Sequence, residues 1–149
     1  MRIRRRVSIE APSEMVWDVI TDLRRAREWA PEFGDYPSIS PDWPRLGARA
    51  TWRYHAGPLR FDFALTVTES ARGSALQIVN RSIFGEGLEV YSFAMSGKTT
   101  TVWYDASDQP NFLGRLVSRF FEKRMVGLVD KTIAGLKAYC ERKAKGSPA

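Results

Sequence analysis

The 149-residue chain holds one cysteine, Cys140, and one histidine, His55. A single thiol excludes an internal disulfide. Metal sites are assembled from several His, Cys or carboxylate ligands at close spacing, and these two residues lie far apart, so neither a metal nor a cofactor is expected. The same scarcity weighs against a nucleophilic triad: each would need His55 as its base, and no nucleophile elbow is present. His55 reads as a polar strand-end residue and Cys140 as a small helix residue. No apolar run approaches the ~20 residues of a membrane span. The opening "MRIRRRVSIEAP" passes from arginines into alternation and a proline, without the apolar core of a secretory signal. The expected setting is a reducing cytoplasm. Acid is also in short supply, since 23 Lys and Arg against 17 Asp and Glu leave a net charge of +6. Such a surface favours anionic partners without naming one.

The length is that of one domain, expected over 1–149, with a frayed basic tail over 143–149. In "RIRRRVSIE", Ile3, Val7 and Ile9 share one parity with Arg5, the period-two pattern of a half-buried strand. After Pro12 the period changes. Val16, Trp17, Val19, Ile20 and Leu23 recur at helical steps, with Ser13 as a candidate cap. "RRAREWAPEF" adds a short helical turn or two before Pro31. The block "GDYPSISPDWPRLG" contains three prolines and suits an edge strand or a loop.

Alternation then resumes. Trp52 and Tyr54 share a face, as do Phe61, Phe63, Leu65 and Val67, then Leu76 and Ile78, then Tyr91 and Phe93, and "KTTTVWYD" is rich in β-branched and aromatic residues. Short glycine-bearing separators predict antiparallel hairpins. "GKT" at 97–99 is one of these turns, because position 92 is serine where a phosphate loop needs glycine. From Pro110 a helical stripe runs through Leu113, Val117, Phe120, Phe121, Arg124, Leu128, Thr132 and Leu136. A long amphipathic helix and a curved antiparallel sheet each have one apolar face, and packing them together buries both, an α+β arrangement.

The order strand, two short helices, antiparallel strands, long final helix, with "VSIEAPSEMVWDVITD" at 7–22, "SGKTTTVWY" at 96–104 and "GLKAYCE" at 135–141, resembles the START-related polyketide cyclase/dehydrase superfamily. The resemblance implies a helix-grip fold with a cavity between sheet and last helix. That superfamily includes carriers of lipids, sterols and quinones as well as aromatase/cyclases. It places Trp29 and Phe33 near a mouth and turns Thr101 and Trp103 inward, whereas alternation alone puts Val102 with Tyr104 on the oily face.

The expected ligand wall comprises Trp29, Phe33, Trp52, Tyr54, Phe61, Phe63, Leu65, Leu76, Ile78, Tyr91, Phe93 and Trp103, with Val117, Phe120, Phe121 and Arg124 from the last helix. Polar residues of inward parity are the candidates for chemistry, since a buried charge is costly unless it is paired or used. Arg5, Glu89, Tyr54 and Tyr91 are those candidates, and Asn80 has the same parity. The plainer alternatives are a strand-end side chain reaching water and an ordinary aromatic core. Arg2, Arg4, Arg5 and Arg6 resemble a basic arm, yet they interleave with strand residues and no basic recognition helix follows, so nucleic acid is not an expected partner. The expected partner is a hydrophobic or aromatic small molecule, with transient contact with an anionic membrane surface. The leading function is binding; the competing one is cofactor-free polyketide cyclisation or dehydration.

Overall fold

Alternating side chains and short glycine turns produce a seven-stranded antiparallel sheet in the computed structural model, which describes residues 1–146. The strands are β1 (Arg2–Ile9), β2 (Asp35–Ile39), β3 (Arg49–Ala56), β4 (Leu59–Ala71), β5 (Ala75–Ser82), β6 (Gly85–Ser96) and β7 (Thr99–Pro110). Their order across the sheet is β1-β7-β6-β5-β4-β3-β2, so only β1 leaves sequence order, to close against β7. Between β1 and β2 come α1 (Ser13–Thr21) and a 3-10 helix (Leu23–Glu28). The chain ends in α2 (Phe112–Ala144), 33 residues that rise about 50 Å through the curved sheet. This is the helix-grip architecture.

Several local expectations change. Pro12, not Ser13, occupies the cap position of α1, and no side chain caps that helix. Strand β7 continues past Asp105 to Pro110, and α2 starts only after Asn111, whose side chain accepts from the Gly114 amide at 2.9 Å. Lys143 and Ala144, expected to be frayed, are helical, and residues 147–149 of the expected tail lie outside the described residues.

Register decides which side chains face α2. Arg5 pairs with Tyr104 and Val7 with Val102 across β1 and β7, and Tyr91 pairs with Tyr104 and Phe93 with Val102 across β6 and β7. Val102 is therefore buried at 2% exposure while Trp103 points away from α2 at 42%. This corrects the inward assignment of Trp103; alternation places the strand properly. Ile9, Val16, Val67 and Leu76 are almost wholly buried where α1 meets the sheet. Thr100 is buried with them because its hydroxyl donates to the Ala11 carbonyl at 2.7 Å, tying β7 to the entrance of α1.

Helix α2 comes close to the rest of the chain at two glycines. A Cβ at Gly114 would collide with the Phe84 carbonyl, and one at Gly135 with the Trp29 carbonyl. Near its end the helix is also held by the Tyr139 hydroxyl, which donates to Glu28 at 3.1 Å.

Candidate functional site

Between these two contacts sheet and helix do not meet fully, and they leave a chamber with two lobes. The inner lobe, of about 80 Å³, lies under α1 and the 3-10 helix, walled by Val7, Ile20, Leu65, Leu76, Ile78 and Leu136 among others. The outer lobe, of about 320 Å³, lies under the first half of α2, against Trp52, Phe63, Asn80, Val117, Phe121 and Met125. Phe33, Glu89, Tyr104 and Val129 belong to both walls and form the waist between them.

No exposed residue lines the inner lobe, whereas Met1, Asp108, Arg115 and Glu122 form an exposed rim on the outer one. The outer lobe therefore opens by the start of α2, while Trp29 and Phe33, which the resemblance placed near a mouth, are half-buried on the wall of the inner lobe. Phe33 stacks on Trp52 with ring centroids 4.7 Å apart, and its carbonyl accepts from the Trp52 indole at 2.8 Å. Trp29 is pressed onto α2 at Gly135, and its indole N–H is buried without a partner.

The waist is where the polar groups converge. Glu89, inward-facing on β6, accepts a hydrogen bond from the Tyr104 hydroxyl at 3.0 Å. Tyr91 lies against Tyr104, with centroids 5.1 Å apart, and Tyr36 from the edge strand β2 completes the group on the inner wall. Burial pushes the Glu89 carboxyl above its usual range, and the hydrogen bond from Tyr104 offsets only part of that. Burial, with the nearby acid as a smaller cause, also raises the titration of Tyr36, Tyr91 and Tyr104. The cluster thus offers neutral phenol donors beside a carboxyl biased toward its acid form.

Arg5 also lines the inner lobe, yet it is not a free cation. Its guanidinium forks onto Asp130 of α2, Nε to Oδ1 at 2.6 Å, and also donates to the Arg4 carbonyl. A carboxylate ligand would have to displace Asp130 to reach it. The inner lobe accordingly offers an anion no unpaired cation.

The expected wall residues fall into four groups. Trp29, Phe33, Leu65, Leu76, Ile78 and Tyr91 line the inner lobe, and Trp52, Phe63, Val117 and Phe121 line the outer one. Tyr54, Phe61 and Phe93 pack in the core away from both: Tyr54 against Trp52, Phe61 against Phe84 and Phe121, and Phe93 beside Val102. Trp103, Phe120 and Arg124 face outward, with Arg124 over the Phe120 ring at 5.1 Å. Over that stretch α2 is apolar on both of its faces, so the helical period alone does not choose a side for Phe120. Tyr36 and Tyr104 were not among the expected residues. The two-residue turn at Gly97 and Lys98 would have revealed Tyr104, because it sets Ser96 opposite Thr99 and hence Tyr91 opposite Tyr104.

A sequence profile of the family described as polyketide cyclase/dehydrase and lipid transport matches residues 1–141. No protein of curated function matches the chain. Among solved structures, protein CV1439 from Chromobacterium violaceum is similar at a TM-score of 0.74 and 16% identity, covering 94% of this chain and 96% of its own. TTHA0849 from Thermus thermophilus is similar at 0.73 and 18% identity over 100% of both chains. DynU16, a protein of the dynemicin biosynthetic locus, reaches 0.65 at 21% identity over 96% of this chain and 48% of its own. At such identities these structures speak for the fold alone. The profile match, running through β1, the sheet and most of α2, speaks for descent, and the chain belongs to the polyketide cyclase/dehydrase and lipid transport family.

Proposed function

We propose that this protein binds an apolar, largely aromatic small molecule in the two-lobed chamber, with an uncharged carbonyl or hydroxyl of the guest placed at the waist. The observation that carries this reading is the convergence of Glu89, Tyr36, Tyr91 and Tyr104 on a mostly apolar wall whose one cation, Arg5, is paired with Asp130. Binding is driven by burial at roughly 25 cal/mol per Å² of apolar surface, and a few fixed polar groups set the orientation. With Arg5 held by Asp130, those groups reward a neutral acceptor or donor and give an anion no counter-charge.

The test uses prodan, a neutral naphthyl ketone whose emission reports an apolar surrounding, against a naphthoate of similar size. Saturable blue-shifted binding of prodan, with naphthoate at least about tenfold weaker, supports the reading. Equal affinity for the two, or no saturable binding, would sink it. Organic extraction of the purified protein followed by mass spectrometry identifies any guest that travels with it.

The Glu89–Tyr104 contact also favours a second reading, cofactor-free cyclisation of a poly-ketone. Glu89 as carboxylate would take a proton from a methylene flanked by carbonyls, and the enolate carbon would attack a second carbonyl. The new alkoxide would take its proton from a phenol of the cluster, the protonated Glu89 would return its proton to that phenolate along their hydrogen bond, and the hydroxyl would leave as water with a proton from the neighbouring carbon, giving the unsaturated ring. Turnover of an added poly-ketone that vanishes in Glu89→Gln separates this enzyme from a carrier, which would return its guest unchanged.

A further inference from the structure

The outward face of α2 changes character along its length. From Gly127 onward it presents Gly127, Asp130, Ala134 and Ala138, the small or charged residues of a solvated face. Before that, at four-residue steps on the same face, it presents Phe112, Leu116 and Phe120, exposed at 75%, 67% and 56%. Ile83 stands beside them, since its carbonyl receives the Asn111 side-chain amide at the start of the helix. The first turns of α2 are thus apolar on both faces: one closes the outer lobe through Val117 and Phe121, and the other meets solvent.

Cations flank the outward stripe. Arg119 and Lys123 lie along one side of it and Arg124 stands at its end over the Phe120 ring, and none of them has an ion-pair partner among the described residues. By contrast, the basic arm at the start of the chain is largely neutralised: Arg2 and Arg4 engage Asp105, and Arg5 engages Asp130. An apolar stripe bordered and ended by unpaired cations is the pattern of a helix that lies in the interface of an anionic bilayer. A second copy of this chain is a poorer match, because a two-fold contact through the stripe would gather the unpaired cations Arg119, Lys123 and Arg124 of both copies into one seam.

We propose that residues 112–124 of α2 are a docking surface for an anionic phospholipid membrane. Phe112, Leu116 and Phe120 enter the acyl boundary and Arg119, Lys123 and Arg124 meet the headgroups. Docked in this way, the rim residue Arg115 lies at the headgroup level, so the mouth of the outer lobe sits at the bilayer surface and an apolar guest enters without crossing bulk water. The docking itself does not depend on what the chamber holds.

The experiment is co-sedimentation of the full chain with phosphatidylcholine vesicles, with and without about one third phosphatidylserine. The expected result is binding to the anionic vesicles that is released by salt near 0.5 M, where charges are screened within a few ångströms. A basic residue at such a surface contributes roughly fivefold in partitioning, so Arg119→Gln with Lys123→Gln should lose more than tenfold. Phe112→Ser with Leu116→Ser should lose binding as well, while both double variants keep prodan affinity in vesicle-free solution. Lys98→Gln with Arg24→Gln, equal in charge but elsewhere on the surface, should bind nearly as the parent does. Equal loss in that control, or no preference for the anionic vesicles, would overturn the proposal. So would a dimer that Leu116→Ser dissolves in a protein that ignores vesicles.

Discussion

The hydroxyl of Tyr104 donates to Oε1 of Glu89 at 3.0 Å across two neighbouring strands, and both side chains face the waist of the chamber. The bond joins groups two residues out of register, since Glu89 itself stands opposite Ala106. Its place in the wall makes one pair of residues a test of protein stability and, on the proposed reading, of guest binding and proton transfer.

Stability should therefore depend on the protonation of Glu89. Its carboxyl titrates above the usual range in the folded chain, mainly through burial, so the unfolded chain releases that proton at lower pH. The contribution is full below the unfolded value of about 4.3 and is lost as pH rises through the folded value. Glu89→Gln, which cannot ionise, should gain stability relative to the parent between pH 4 and pH 8. Urea midpoints at several pH values measure this, and a difference that stays constant across the range would contradict the assignment.

Filling the waist should separate binding from folding. Val129 borders both lobes, so in Val129→Phe the added ring has empty volume to enter. Prodan affinity should fall by more than about tenfold while the urea midpoint changes little, because overpacking penalties of roughly 1–3 kcal/mol arise only where no space exists. Undiminished affinity would place the guest elsewhere.

Two glycines of one helix should respond oppositely to alanine. At Gly135 the new methyl meets the Trp29 carbonyl, and about 1–3 kcal/mol of destabilisation is expected. At Gly127 nothing lies within 4 Å, and helix propensity predicts a gain of up to about 1 kcal/mol. Chemical denaturation of the two variants side by side checks the sign of each.

The lone thiol should be silent until the chain unfolds. Cys140 is fully buried, and burial pushes it up to about 12. Aromatic disulfide reagents at pH 8 should label it only at the rate of global opening, and urea should accelerate the reaction. Labelling within seconds in native buffer would show that the end of α2 opens on its own.

Much of this architecture was legible because alternation and the helical period rarely conflict along the chain. Glu89, Tyr91 and Arg5 showed their inward parity directly, and Val102 and Tyr104 were placed properly by the same rule where the family resemblance pointed to Trp103. Tyr36 was not legible. Pro37 and Pro41 interrupt any periodicity around it, and the register of β2 shifts between Asp35 and Ser38, so parity there carries no information. The pairing of Arg5 with Asp130 spans 125 positions and depends on how α2 is rotated over β1, which no local pattern encodes. Phe120 failed for another reason: α2 carries apolar residues on its buried side and on its exposed side over that stretch, and the same residue types serve both.

Strand β2 is the least restrained part of the wall. It is five residues long, sits at the sheet margin with β3 as its one neighbour, and carries Pro37, which has no amide hydrogen to give. Glu89, Tyr91 and Tyr104 instead belong to the hairpin of β6 and β7, whose strands each have a neighbour on both sides. If the barrier yields to admit a bulkier guest, the yielding part is the phenol of Tyr36, which can swing out with its strand while the acid and its donor keep their spacing. Amide exchange would record this as quick turnover at Tyr36 and Ser38 against slow turnover at Glu89 and Tyr104.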